Sequence, residues 1–135
     1  MKKITKKEKP WIWWVTLVAA LGFIFMLTAS QVFTGEHSKN NIQQMIGMTE
    51  ENAYLTNAIV RKSAHILIFG FLGILFYKVF RKYSIWYAWF CTVLIAALDE
   101  WHQSFVPGRS ALIQDVWLDS LAAFLFLISI AFFRK

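Results

Sequence analysis

The chain has 135 residues, enough for one domain. Hydrophobic residues make up 58% and charged residues 16%, against roughly 25% charged in soluble domains. That balance excludes an ordinary soluble protein, and no polar stretch is longer than about 25 residues, too few for a separate soluble core. The net charge of +6 sits at segment ends, without basic patches interleaved with aromatics. It therefore reads as membrane topology and excludes nucleic acid as a partner.

In chain order, the first apolar segment is predicted as a spanning helix over about 11–33. It follows the basic tail MKKITKKEK, but its apolar run is longer than the h-region of a secretion signal, so it is expected to be retained. An outer loop follows, about 34–56, with Ile42, Met45 and Ile46 on one face of a short interfacial turn. Three more helices are expected over about 57–80, 83–103 and 111–133. Cys91 lies among Phe90, Thr92 and Val93 with no second cysteine in the chain, and reads as inert filler.

The last three apolar runs are short. Ile66 to Phe80 gives about 22 Å of helix, against a hydrocarbon slab about 30 Å thick. These helices lengthen only through IVRKSAH, DEWHQ and RSALIQD, which draws polar side chains into the membrane or to its lip. Ten Lys and Arg flank one side: Lys2, Lys3, Lys6, Lys7, Lys9, Lys78, Arg81, Lys82, Arg134 and Lys135. Four flank the other: Lys39, Arg61, Lys62 and Arg109. The excess predicts both termini in the cytoplasm. The expected fold class is all-α, an integral membrane four-helix bundle forming a single domain.

With that orientation, Gln31, Arg61, Lys62, His65, Asp99, Glu100, Gln103, Arg109, Asp115 and Asp119 reach one level near the outer leaflet. Arg61 and His65, Asp99 and Gln103, and Asp115 and Asp119 are each four apart, hence on one helix face. Exposing such charges to lipid costs about 2.5 kcal/mol or more each, so they are expected to face one another. The Pro107–Gly108 turn makes the last two helices an antiparallel hairpin, with Asp99 and Asp115 opposed near its tip. The cluster reads as a ligand-binding site, organised by ion pairing.

Three pieces of sequence resemble the VanZ-like family of small bacterial membrane proteins. They are the Ser-Gln at 30–31, RKSAHILIFGFLGIL at 61–75, and LDEWHQSFVPGRSALIQDVWLDSLAA at 98–123. The chain departs from the family's common pattern at Asp119, where Asn is frequent, and at Ala122, where Gly is. The resemblance implies a protein of the bacterial cell membrane, and the family is named for a member associated with low-level teicoplanin resistance. The site is then expected to hold an envelope-lipid headgroup or a lipoglycopeptide, and membrane lipids are the expected surroundings. Binding is favoured over catalysis. The alternative is an intramembrane hydrolase acting on an envelope lipid, with His65 as nucleophile or base and Asp99 or Asp115 orienting it. No cofactor is expected, although His65 and the carboxylates offer donors that suit a divalent ion. Gly70, Gly73, Ala122 and Ala123 would allow close packing in a homo- or hetero-oligomer.

Overall fold

Four helices form, in chain order α1 (Pro10–Ala29), α2 (Glu50–Val79), α3 (Ile85–Gln103) and α4 (Ile113–Phe133). The computed structural model describes residues 10–29, 40–41, 44, 47, 49–80, 84–107, 109 and 111–133. Gln31, His37, the turn on Ile42, Met45 and Ile46, and most of the flanking basic residues lie outside the described residues. No strand forms among the described residues.

Local chemistry sets the helix ends. Pro10 opens α1, where its missing N–H is no loss. Helix α2 begins at Glu50, seven residues before the expected start near 57. Extended Thr49 precedes it as N-cap, and two glutamates at its start favour the positive end of the helix dipole. Ser84 caps α3 by accepting the Trp86 N–H at 3.4 Å.

Each helix carries one buried stripe at three- or four-residue spacing. On α3 the stripe is Ala88, Thr92, Ala96, Asp99 and Gln103, apolar at one end and polar at the other. On α2 it runs from Phe69 through Leu72 to Phe76, and on α4 from Asp119 through Ala123 to Leu127. Helices α2, α3 and α4 pack mutually, and α1 lies against α2 and α3. The Trp89 indole N–H donates to the Ser120 carbonyl at 2.9 Å, tying α3 to α4.

The opposite faces are apolar too. Val18, Phe23, Met26, Leu67, Phe71, Leu121 and Leu125 are all exposed. Large contiguous apolar surface of this kind belongs in lipid. Three helices, α1, α2 and α4, are long and apolar enough to cross a membrane. Helix α3 has 19 residues and places its two carboxylates in its last turn and a half.

Gly70, Gly73, Ala122 and Ala123 are all buried within the chain, the two glycines of α2 against α4. The small residues expected to serve contact with other proteins are used here for internal packing. A Cβ on Gly70 would meet the Phe126 ring at 2.8 Å, whereas one on Gly73 would meet Ala123 at 3.4 Å. Gly70→Ala is expected to destabilise by about 1–3 kcal/mol through overpacking. Gly73→Ala should be neutral or stabilising by up to about 1 kcal/mol, since alanine is the better helix former. Thermal unfolding of the two variants in detergent checks the contrast; equal losses would contradict it.

Candidate functional site

Three ionisable side chains share one depth. His65 lies fourteen residues from the end of α2 at Val79, Asp99 fourteen from the start of α3 at Ile85, and Asp119 fourteen from the end of α4 at Phe133. At 1.5 Å per residue that is about 21 Å from the far end of each helix.

Contacts confirm that this end is one cluster. Asp99, fully buried, accepts the Thr28 hydroxyl at 2.7 Å through Oδ1 and the Gln103 amide at 2.6 Å through Oδ2. Arg109 is brought back by successive turns at Phe105, Val106 and Arg109 itself, and its Nη1 donates to the Thr28 carbonyl at 2.7 Å. Burial draws the Arg109 pKa down and the Arg61 charge does the same, while Asp99, Glu100 and Asp115 oppose them. The guanidinium stays charged regardless. The Glu100 carboxylate accepts the Leu112 N–H at 2.9 Å and so holds the entry to α4. Deeper in the bundle, His65 Nδ1 lies 3.1 Å from Asp119 Oδ2.

The pairing differs from the simplest reading of the charges. Among the described residues the ion pair formed is His65–Asp119. Arg109 serves a backbone carbonyl of α1. Asp99 and Asp115 do not act as a pair: Asp99 is bonded to α1 and to its own helix, whereas Asp115 faces α2 across a cavity. His65 is held by Asp119, not by Asp99 or Asp115. With Nδ1 committed to a carboxylate, Nε2 is the ring nitrogen left for other partners. His102 is half-buried, edge-on to Phe25 with ring centroids 5.7 Å apart.

The cavity measures about 190 Å³. Tyr54, Ala58, Arg61, Lys62 and His65 of α2 form one wall, and Leu112, Asp115 and Leu118 the other. Arg61 Nε and Asp115 Oδ1 are both buried without a hydrogen-bond partner. Lys62 is exposed and reaches the cavity rim. Of the residues expected at the site, Arg61, Lys62, His65 and Asp115 line the cavity, and Asp119 stands behind His65. Asp99, Glu100, Gln103 and Arg109 form the adjoining network that ties α1, α3 and the α4 entry together. Among the described residues, no three His, Cys, Asp or Glu side chains converge as metal ligands.

A sequence model of the VanZ/LLP1 family matches residues 11–134, nearly the whole chain. The chain belongs to the VanZ-like family. No curated protein and no solved structure matches it.

In this VanZ-like protein the described parts of the second and third family-like motifs meet at one end of the bundle. Arg61, Lys62 and His65 supply the cavity wall, Asp99 to Arg109 the network beside it, and Asp115 the opposite wall. Thr28, Tyr54 and Ala58 were among the contributors not singled out from sequence. Thr28 is the α1 residue that reaches the network, three positions before Gln31. It is one of two hydroxyls in α1, with Thr16, and the one near the helix end, and that was the available signal. Tyr54 lines the cavity because α2 extends through residues expected to be loop, and Ala58 joins it from inside the expected helix.

Proposed function

We propose that this VanZ-like protein is a multi-pass protein of the bacterial cell membrane. It holds the polar end of an envelope lipid or a related amphiphile at the outer leaflet, and through that contact contributes to low-level teicoplanin-type resistance. The observation that carries this reading is the cavity between α2 and α4. Its walls bear Arg61, Lys62, His65 and Asp115, and it lies toward the helix ends in a bundle that exposes large apolar side chains on all four helices. The excess of Lys and Arg in the flanks at the opposite end supports an outward-facing site. Arginine is suited to phosphate and carboxylate because its planar fork donates two parallel hydrogen bonds.

Arg61 is the residue to test. Arg109 is spent on the Thr28 carbonyl, so replacing it would disturb packing as well as charge. Arg61→Gln, expressed at the wild-type level, is expected to lose about tenfold or more in lipid retention through purification, about the worth of a charge-assisted bond. Teicoplanin susceptibility should rise with it. Undiminished lipid retention would remove the basis of the reading.

One observation favours the hydrolase as a second reading. The Asp119 carboxylate fixes the His65 imidazole by Nδ1 at the cavity wall, the arrangement that orients a histidine for base or nucleophile work through Nε2.

A further inference from the structure

The cavity walls are of opposite charge, and the two charges do not meet. Arg61 lies eighteen residues from Val79 and Asp115 eighteen from Phe133, so both stand about 27 Å from the far end of the bundle. That is about 3 Å inside the boundary of a 30 Å hydrocarbon slab, directly beneath the headgroup region, where an arginine side chain can reach up to lipid phosphate. Arg61 Nε is a buried donor without an acceptor, and Asp115 Oδ1 a buried acceptor without a donor. Were the pair only structural, the two would close on each other. Instead a cavity of about 190 Å³ separates their walls, room for about six waters at 30 Å³ each.

A simple phosphate fits one wall and not the other. Arg61 with Lys62 attracts it, but Asp115 repels it and gains no donor. A second phosphate, as in a pyrophosphate, would meet the same carboxylate. A ligand that satisfies both walls carries a phosphate and, two or three bonds beyond it, a hydroxyl or ammonium.

Resting on the lipid-binding reading above, we infer that this site selects phospholipids whose headgroup bears a hydrogen-bond donor beyond the phosphate. The Arg61 guanidinium takes the phosphate with help from Lys62, and the Asp115 carboxylate takes the hydroxyl or ammonium. Leu112 and Leu118 flank Asp115 and give the cavity an apolar side toward the acyl chains. His65 is bound to Asp119 and is not needed for this recognition. Asp115 is therefore the residue that sets specificity, and Arg61 the one that sets affinity.

The full chain in detergent is offered phosphatidylglycerol, phosphatidylethanolamine or phosphatidic acid of identical acyl composition, and bound lipid is counted by native mass spectrometry. Wild type is expected to favour the first two over phosphatidic acid by about tenfold, the worth of one charge-assisted hydrogen bond. Asp115→Asn should erase that preference and bind phosphatidic acid at least as well as wild type does. Asp115→Ala removes the same acceptor and guards against an effect peculiar to the amide. Arg61→Gln should lose all three lipids. Glycerol 3-phosphate and phosphoethanolamine are added as competitors: displacement makes the free phosphate ester a sufficient ligand, and its failure makes the acyl chains part of recognition. If wild type has no preference, or both Asp115 variants keep it, the inference fails while the lipid-binding reading stands. If Arg61→Gln retains all three lipids, that reading fails as well.

Discussion

Asp99→Ala is expected to destabilise the bundle by about 2–4 kcal/mol and to loosen α1 from the other three helices. Asp99 is completely buried and accepts from both Thr28 and Gln103. The two partners do not suffer equally. The Thr28 hydroxyl also reaches the Ile24 carbonyl at 3.0 Å and the Phe25 carbonyl at 3.3 Å, so it keeps an acceptor. The Gln103 amide is 1% exposed and loses its acceptor at a depth where water is scarce. An unsatisfied buried polar group costs about 1–3 kcal/mol, and the void left by the side chain adds a cavity term. Asp99→Asn should cost about 1 kcal/mol or less, because Oδ1 still accepts from Thr28 and the Gln103 amide can rotate to present its oxygen. Denaturant titration in detergent reads the stability difference. Limited proteolysis at the α1 boundary reads the loosening, since Asp99 and Arg109 both fasten α1 through Thr28. An Asp99→Ala protein as stable as Asp99→Asn would mean that the network does not hold α1.

Levels along the helices were legible in the sequence; rotations about them were not. Apolar runs shorter than a bilayer pointed to polar side chains within the helices, and His65, Asp99 and Asp119 each stand fourteen residues from a helix end at the opposite side of the bundle. The four-residue spacings were legible for the same reason: Asp99 and Gln103 share a face and bond to each other. Which carboxylate met which cation depended on how α2, α3 and α4 turn toward one another, and no local pattern records that angle. Hence Asp119, and not Asp99 or Asp115, holds His65. The start of α2 was hidden by polarity. Glu50, Glu51, Asn52 and Thr56 read as loop, although Thr49 before two glutamates is also a helix start signal. That mattered for the site, because the added turns carry Tyr54 to the cavity. The small residues were read for contact with other proteins, and the structure packs Gly70 and Gly73 against α4 of the same chain.

Asp119→Leu and His65→Leu are each expected to cost about 3–5 kcal/mol, and the double variant far less than their sum. Nδ1 of His65 and Oδ2 of Asp119 are 3.1 Å apart, with the side chains 14% and 1% exposed. Taking away one member strands the other in a low-dielectric interior, and stranding a buried partner is what makes single substitutions of such pairs severe. Asp119 is the worse one to strand, because its Oδ1 already has no hydrogen-bond partner and Oδ2 would join it. Replacing both by leucine leaves nothing to satisfy and is often near neutral. A thermodynamic cycle in detergent should therefore return a coupling above the roughly 0.5–3 kcal/mol usual for residues in direct contact, because the double variant escapes most of both single losses; an additive result would mean that the contact contributes nothing. The double variant also separates the two functional readings. On the binding reading, lipid retention needs Arg61 but not the imidazole, so a folded His65→Leu/Asp119→Leu protein should bind lipid as wild type does. Hydrolysis needs the ring nitrogen that Asp119 orients. Release of headgroup or phosphate from lipid by wild type, abolished in the double variant while binding persists, would make the pair catalytic; equal absence in both would leave it a structural tie beneath a binding site.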